Sequence, residues 1–159
     1  MSKRPSDVKS ESSTPPLDSV TFFTDRCLGC NDVPNALRKA GLSVEVHKEH
    51  FNSDCEDAVW IAEVGRRGWI ILTKDKHFRS RQVEVAALMR SNTGTFVLTN
   101  SNTTGLQNAA IFIQAIPQIF DLIRGFTRPF LAQITSSGTV SIVLTHQNMI
   151  DLHGKLAPE

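Results

Sequence analysis

At 159 residues the chain is long enough to bury a core as a single domain. Its 40% hydrophobic and 21% charged fractions are those of an ordinary soluble globular protein, and a net charge of +1 excludes a polyanion-binding surface spread over the whole molecule, so a nucleic-acid site has to be a local patch. No apolar run approaches the roughly 20 residues needed to cross a bilayer, and three cysteines without a framework spacing favour reduced thiols in a cytoplasm.

Residues 1–18, rich in Ser, Pro and Lys with no apolar centre, are not a secretory signal and read as a disordered tail. The domain is expected over residues 19–146, with 147–159 as a C-terminal tail. Val20 to Phe23 predicts a first strand that runs into Thr24-Asp25. Asn31 or Asp32 then caps a helix that carries Pro34 in its first turn and ends at Gly41. Val44 to Val46 alternates as a short second strand. Ser53-Asp54-Cys55-Glu56 fits a capping box opening a helix whose apolar residues Val59, Trp60 and Val64 recur at helical spacing. Gly65 and Gly68 bracket its exit into Trp69-Ile70-Ile71-Leu72-Thr73, an apolar run suited to a strand buried on both faces of a parallel sheet.

Val83, Ala86, Ala87 and Met89 form the next helical stripe, closed near Gly94, and Thr95 to Thr99 reads as a fourth strand. After a polar loop over residues 100–104, Leu106 to Ile123 predicts the most apolar helix, kinked or ended by Pro117 and terminated by Arg124 and Gly125. Phe130 to Ile134 and Val140 to Leu144 flank Ser136-Ser137-Gly138, a hairpin signal. The residues after His146 read as frayed. Strands alternating with helices, then a C-terminal hairpin strand, imply an α/β fold: a three-layer α/β/α sandwich with a mainly parallel central sheet and right-handed crossovers.

In such a sheet ligands bind at the carboxyl edge. Asp25 follows strand one, Asp75 follows strand three, and Asp57 falls in the first turn of the helix after strand two, so all three project towards one rim. Glu56 competes locally with Asp57, but its better place is closing the capping box with Ser53. An aspartate that caps a helix or favours its dipole accounts for any one of these acids, not for their convergence. Three carboxylates at one rim repel each other and raise some of their pKa values. A hard divalent cation with oxygen ligands, Mg²⁺ or Mn²⁺, removes that repulsion, activates water and offsets charge on a phosphodiester transition state.

Phe22-Phe23-Thr24-Asp25, Asp57 with Trp60 three residues on, and Gly-Trp-Ile-Ile-Leu-Thr-Lys-Asp ending at Asp75 resemble the PIN-like domains of toxin-type ribonucleases, with the VapC-like branch nearest. The resemblance covers about Thr21 to Leu144. It implies a metal-dependent endoribonuclease, the toxin of a toxin–antitoxin pair, with Asp25, Asp57 and Asp75 as catalytic metal ligands. Many family members carry a fourth acid two residues after the third, where this chain has His77; Glu84 on the following helix offers a substitute, although a solvated surface glutamate accounts for it better. Basic residues crowd the same rim. Arg26, Lys76, Arg79 and Arg81, with Lys74 and His77, are the candidates for holding backbone phosphates. No aromatic-interleaved basic stretch offers a base-stacking platform. The expected partners are RNA, an antitoxin protein and a second copy of the chain in a homodimer, with no membrane.

Two other readings compete. Cys27-Leu28-Gly29-Cys30 between a strand and a helix is the context of a Cys-x-x-Cys thiol oxidoreductase, although no Trp precedes it and that reading leaves Asp57 and Asp75 idle. Cys55 and His50 could join it in a zinc site, at weak spacing. A phospho-receiver-like signalling domain also has an aspartate after strand three and, as at Thr99, a threonine ending strand four, but it needs two adjacent acids after strand one. His47, His50, His146 and His153 read as surface or tail histidines. Neither a Gly-x-Ser-x-Gly elbow nor a phosphate loop is present.

Overall fold

The computed structural model describes residues 19–76, 78, 82–99 and 102–156. Six short runs of apolar and β-branched residues make one sheet: β1 (Thr21–Thr24), β2 (Ser43–Val46), β3 (Ile70–Thr73), β4 (Gly94–Leu98), β5 (Phe130–Ile134) and β6 (Val140–Leu144), in the order β2-β1-β3-β4-β5-β6. Strands β1 to β5 are parallel and β6 returns antiparallel to β5. The alternation of side chains across each strand divides the core in two. Phe22, Ile70, Leu72, Phe96 and Phe130 face one layer, while Phe23, Ile71, Val97 and Leu131 face the other.

Helices α1 (Asp32–Lys39) and α5 (Gly105–Gly125) cover the first face, packed on each other. Helices α3 (Asp57–Arg66), α4 (Gln82–Arg90) and α6 (His146–Leu156) cover the second, where Trp60, Ile61, Val64, Leu88 and Met149 join the core. The result is an α/β/α sandwich. Its β3 and β4 are buried along their whole lengths, as helices on both faces of a parallel sheet require. Close packing leaves no room at Gly94, where a Cβ would come 2.3 Å from the Phe130 ring.

Three expectations need correction. Ser53 to Glu56 do not form a capping box: α3 starts at Asp57, and its N-cap Glu56 makes no side-chain capping bond. The reciprocal capping box belongs to α5, between Thr104 and Gln107. That helix runs through Pro117 and closes at Arg124 and Gly125, as expected. By length and composition alone α5 is long and apolar enough to cross a membrane, against the expectation that no run approaches that length, although here it lies on the sheet with 44% of its apolar window buried. The segment after His146 is helical rather than frayed. Thr145 and Asn148 cap its start reciprocally, and Met149 is buried in the second core. A short helix, α2 (His47–His50), follows β2 directly.

The tail at residues 1–18, His77, Arg79 and Arg81, and the side chains of Glu84 and His153, lie outside the described residues.

Candidate active site

Strand β1 lies between β2 and β3, and its ladder with β3 continues one residue past the strand, because the Asp25 N–H donates to the Leu72 carbonyl at 3.0 Å. Asp25 is thereby fixed at the carboxyl edge with only 4% of its surface exposed. Its Oδ1 accepts from the Arg26 N–H at 2.7 Å, capping a 3-10 turn over Arg26–Leu28. Its Oδ2 accepts from the Thr73 hydroxyl at 2.8 Å, with the Cys27 thiol 3.6 Å away. Burial raises the pKa of Asp25 above the ordinary carboxylate value. The Thr73 and Arg26 donors pull it down, and the negative charge of Asp57 pushes it up again.

Thr73, fully buried at the end of β3, holds the next acid as well. Its Oγ1 accepts from the Asp75 N–H at 3.0 Å, so one hydroxyl ties the carboxylate of Asp25 to the backbone that presents Asp75. The Asp75 carbonyl accepts from the Phe78 N–H at 3.2 Å. Phe78 is fully buried and meets Trp60 edge-on at 5.9 Å. Trp60, buried between Phe23 and Phe78, points its Nε1–H back one helical turn to Asp57 Oδ1 at 2.9 Å. Arg26 Nη2 lies 3.5 Å from the same oxygen, and Arg26 Nη1 donates to the Ser53 carbonyl.

The three sequence-predicted acids thus share one rim, Asp25 and Asp57 with their carboxylates held by a second residue and Asp75 with its backbone N–H held. Thr73 serves Asp25 and the Asp75 backbone, and Trp60 serves Asp57. The roles of Thr73 and Trp60 escaped the sequence reading, although both stand inside the quoted motifs: a threonine two residues before an acid, and a tryptophan three after one. Of the basic candidates, Arg26 is anchored against Asp57 and Ser53, and Lys76 is exposed beyond Asp75.

The cysteines take a different part from the one a redox motif needs. Cys27 Sγ lies 3.3 Å from Thr73 Oγ1 and accepts from the Lys74 N–H at 3.3 Å. Burial, then the charge of Asp25, pushes its thiol up to about 11. It is therefore protonated at neutral pH, whereas thiol–disulfide exchange needs a thiolate. Cys27, Cys30 and Cys55 are all free.

Among the described residues, the group whose three ligand atoms all lie within 4.8 Å of one another is Glu45, Glu49 and His50, not the three aspartates, which share their rim at wider spacing. Glu45 Oε1 sits 2.7 Å from His50 Nε2, and Glu49 lies 3.8 Å from Arg38. That group is a surface network next to β2. The aspartate rim has the donor set a hard cation takes: carboxylate oxygens, with the Asp25 carboxyl buried and held above its ordinary pKa chiefly by that burial.

The model of the PIN like domain matches residues 20–100, from β1 to just past β4 and including all three acids. A curated relative from Mycobacterium tuberculosis (strain ATCC 25618 / H37Rv), whose name reads "Putative ribonuclease VapC45", is 30% identical over 131 residues, which are 80% of this chain and 93% of the relative. No solved structure matches the chain.

Proposed function

The chain belongs to the PIN-like domain family, and from that premise we propose that it is a metal-dependent endoribonuclease, the toxin of a toxin–antitoxin pair. The observation that carries the proposal is the convergence of Asp25, Asp57 and Asp75 on the carboxyl edge, with Asp25 buried and its pKa raised by burial and by Asp57. Asp25 caps the turn over Arg26–Leu28, yet burial opposes its ionisation there, as befits a group awaiting a cation.

Mg²⁺ or Mn²⁺ held by the three aspartates would supply the positive charge that polarises a phosphodiester and acidifies an attacking water. The chain's own residues do the rest. Thr73 orients the Asp25 carboxylate, Trp60 fixes the Asp57 rotamer, and Arg26 places a cation beside Asp57 where a substrate phosphate approaches. Lys76, exposed beyond Asp75, extends the basic rim for backbone phosphates, and Arg79 and Arg81 remain the sequence's further candidates for that role. The domain expected over residues 19–146 carries this site, with α6 packed on it beyond that bound, and works in the cytoplasm with RNA as substrate and with an antitoxin and a second copy of the chain as protein partners.

The test is cleavage of single-stranded RNA by the purified chain in Mg²⁺, Mn²⁺ or EDTA, beside Asp25→Asn, Asp57→Asn and Asp75→Asn. Internal cleavage that needs metal and is lost in each variant is the expected result. Cleavage that persists in EDTA, or in all three variants, would refute the assignment. The product of the neighbouring reading frame should co-purify with the chain and inhibit it if the toxin reading holds.

A further inference from the structure

Beside the acidic rim, on the far side of Arg26, lies a cleft of about 420 Å³ lined by Arg26, Val46, His47, Lys48, Phe51 and Asn52 among others. We propose that this cleft is a subsite for one unpaired nucleotide of the RNA substrate, adjoining the scissile phosphate. The proposal deepens the nuclease reading above and rests on it.

Four observations carry it. The volume falls within the roughly 300–1,000 Å³ of sites that enclose small organic groups. The lining carries charge of one sign: Arg26 and Lys48 are exposed cations, and among the described residues no carboxylate lines the cleft. The interior suits a base. Phe51 is half-buried, seated edge-on against Phe23 at 5.9 Å, and stands next to Val46 and the exposed amide of Asn52. His47, read from the sequence as a surface histidine, is instead 1% exposed and packs its ring 5.4 Å from Phe51 and 5.6 Å from Trp60, backing the Phe51 ring from within the fold.

Position decides the occupant. Arg26 belongs to both sites, lining the cleft while its Nη2 stands 3.5 Å from Asp57. A strand of RNA whose phosphate reaches the aspartates therefore passes Arg26 and delivers its neighbouring base to Phe51. Recognition of single-stranded RNA works in this way, by splaying a base against an aromatic ring and reading its edge with an amide while cations hold the backbone. The Phe51 ring is invisible to a search for aromatics interleaved with basic residues along the chain, because β2 and α2 bring it to Arg26 from 25 residues away.

The experiment measures binding apart from cleavage. The chain is titrated in EDTA with AMP, GMP, CMP and UMP, and with ribose 5-phosphate, which lacks the base. At least one nucleotide should bind about tenfold or more tighter than ribose 5-phosphate, and equally well to Asp75→Asn. Phe51→Leu should remove about tenfold of that preference, and Lys48→Ala should weaken all five ligands alike. Asn52→Ala, on an exposed side chain, should change the ranking of the four bases and keeps the test decisive should Phe51→Leu fail to fold. On RNA, Asn52→Ala should raise KM and alter the base preferred beside the cut with little change in kcat. Equal binding of ribose 5-phosphate and nucleotides, or an unchanged ranking and cleavage preference in Asn52→Ala, would overturn the subsite. A wild-type chain that binds nucleotides as described but cuts no RNA would refute the nuclease reading alone. One that cuts RNA and shows no base-dependent binding would refute the subsite alone.

Discussion

Replacing Thr73 by Val tests whether the site is assembled by one buried hydroxyl. The substitution keeps shape and β-branching at a position with no exposed surface, so packing is nearly conserved. It removes the 2.8 Å donor to Asp25 Oδ2 and the 3.0 Å acceptor for the Asp75 N–H. A hydrogen bond to a charged group contributes about 1.5–3 kcal/mol, and a buried N–H left without its acceptor costs about 1–3 kcal/mol. The Asp75 amide sits near the rim, where water partly replaces the lost acceptor, and the added methyl recovers a little through apolar burial. The expected loss is therefore about 2–3 kcal/mol at pH 8, read by urea unfolding in EDTA. The loss should shrink in acid, because Thr73 stabilises the ionised form of Asp25. Losing this donor raises the Asp25 pKa further, so the acid limb of the cleavage profile should move to higher pH than in the wild type. Thr73→Ser, which restores the hydroxyl, should recover both the profile and most of the stability. Loss below about 0.5 kcal/mol, an unmoved profile, or a serine variant as poor as the valine would refute the bridging role.

Asp75→Asn should abolish cleavage and weaken Mg²⁺ binding while the melting temperature in EDTA stays equal or rises slightly, since a charge is removed from a crowded rim; a destabilised variant that still cuts RNA would end the ligand assignment. Cys27→Ser and Cys30→Ser should leave metal-dependent cleavage within a few-fold, and native Cys27, with its thiol near 11, should react slowly with iodoacetamide at pH 8; a disulfide that cycles readily would favour redox chemistry. Trp60→Phe removes the 2.9 Å bond to Asp57 and should lower cleavage tenfold or more while destabilising by about 1 kcal/mol; unchanged activity would show that Asp57 needs no positioning by the indole.

How much was legible follows from what kind of signal each feature leaves in a sequence. The sheet and its edge were readable because Ile70, Ile71 and Leu72 form an unbroken apolar run that ends in a polar residue, which leaves a doubly covered strand as the economical explanation. Asp25 and Asp75 could be placed on one rim because parallel strands all end on the same side. The capping box misread at Ser53 shows the weakness of a four-residue pattern: the spacing was right, but the backbone stays non-helical until Asp57 and Arg26 draws in the Ser53 carbonyl. The helix from His146 was missed because its stabilising contact, Met149 in the second core, comes from tertiary packing. Thr73 and Phe51 were unreadable for a related reason. Their partners are 48 residues away at Asp25 and 25 residues away at Arg26, distances closed only by the β1–β3 pairing and the turn of α2.

The same pairing explains why the site sits in tension with the fold. Asp25 follows an interior strand with its backbone committed to Leu72, and its carboxylate cannot swing out to water without giving up the Thr73 hydroxyl and the Arg26 N–H. A folded state that raises an acid's pKa binds a proton more tightly than the unfolded chain does. Between the ordinary value of 3.8 and the raised value, stability therefore falls as pH rises, and the penalty persists above that window. A cation that binds the folded rim and not the unfolded chain works in the opposite direction, stabilising by about 2.7 kcal/mol at a hundredfold excess over its Kd. The two effects are linked, since the cation displaces the proton. Thermal melts across pH should accordingly show Mg²⁺ stabilising the protein strongly at pH 8 and weakly below the Asp25 pKa, and Asp25→Asn should flatten that difference while melting higher than the wild type in EDTA at pH 8. Mg²⁺ stabilisation that is independent of pH, or an asparagine variant that melts lower in EDTA, would show that Asp25 serves the fold as a capping residue and that its burial has another cause.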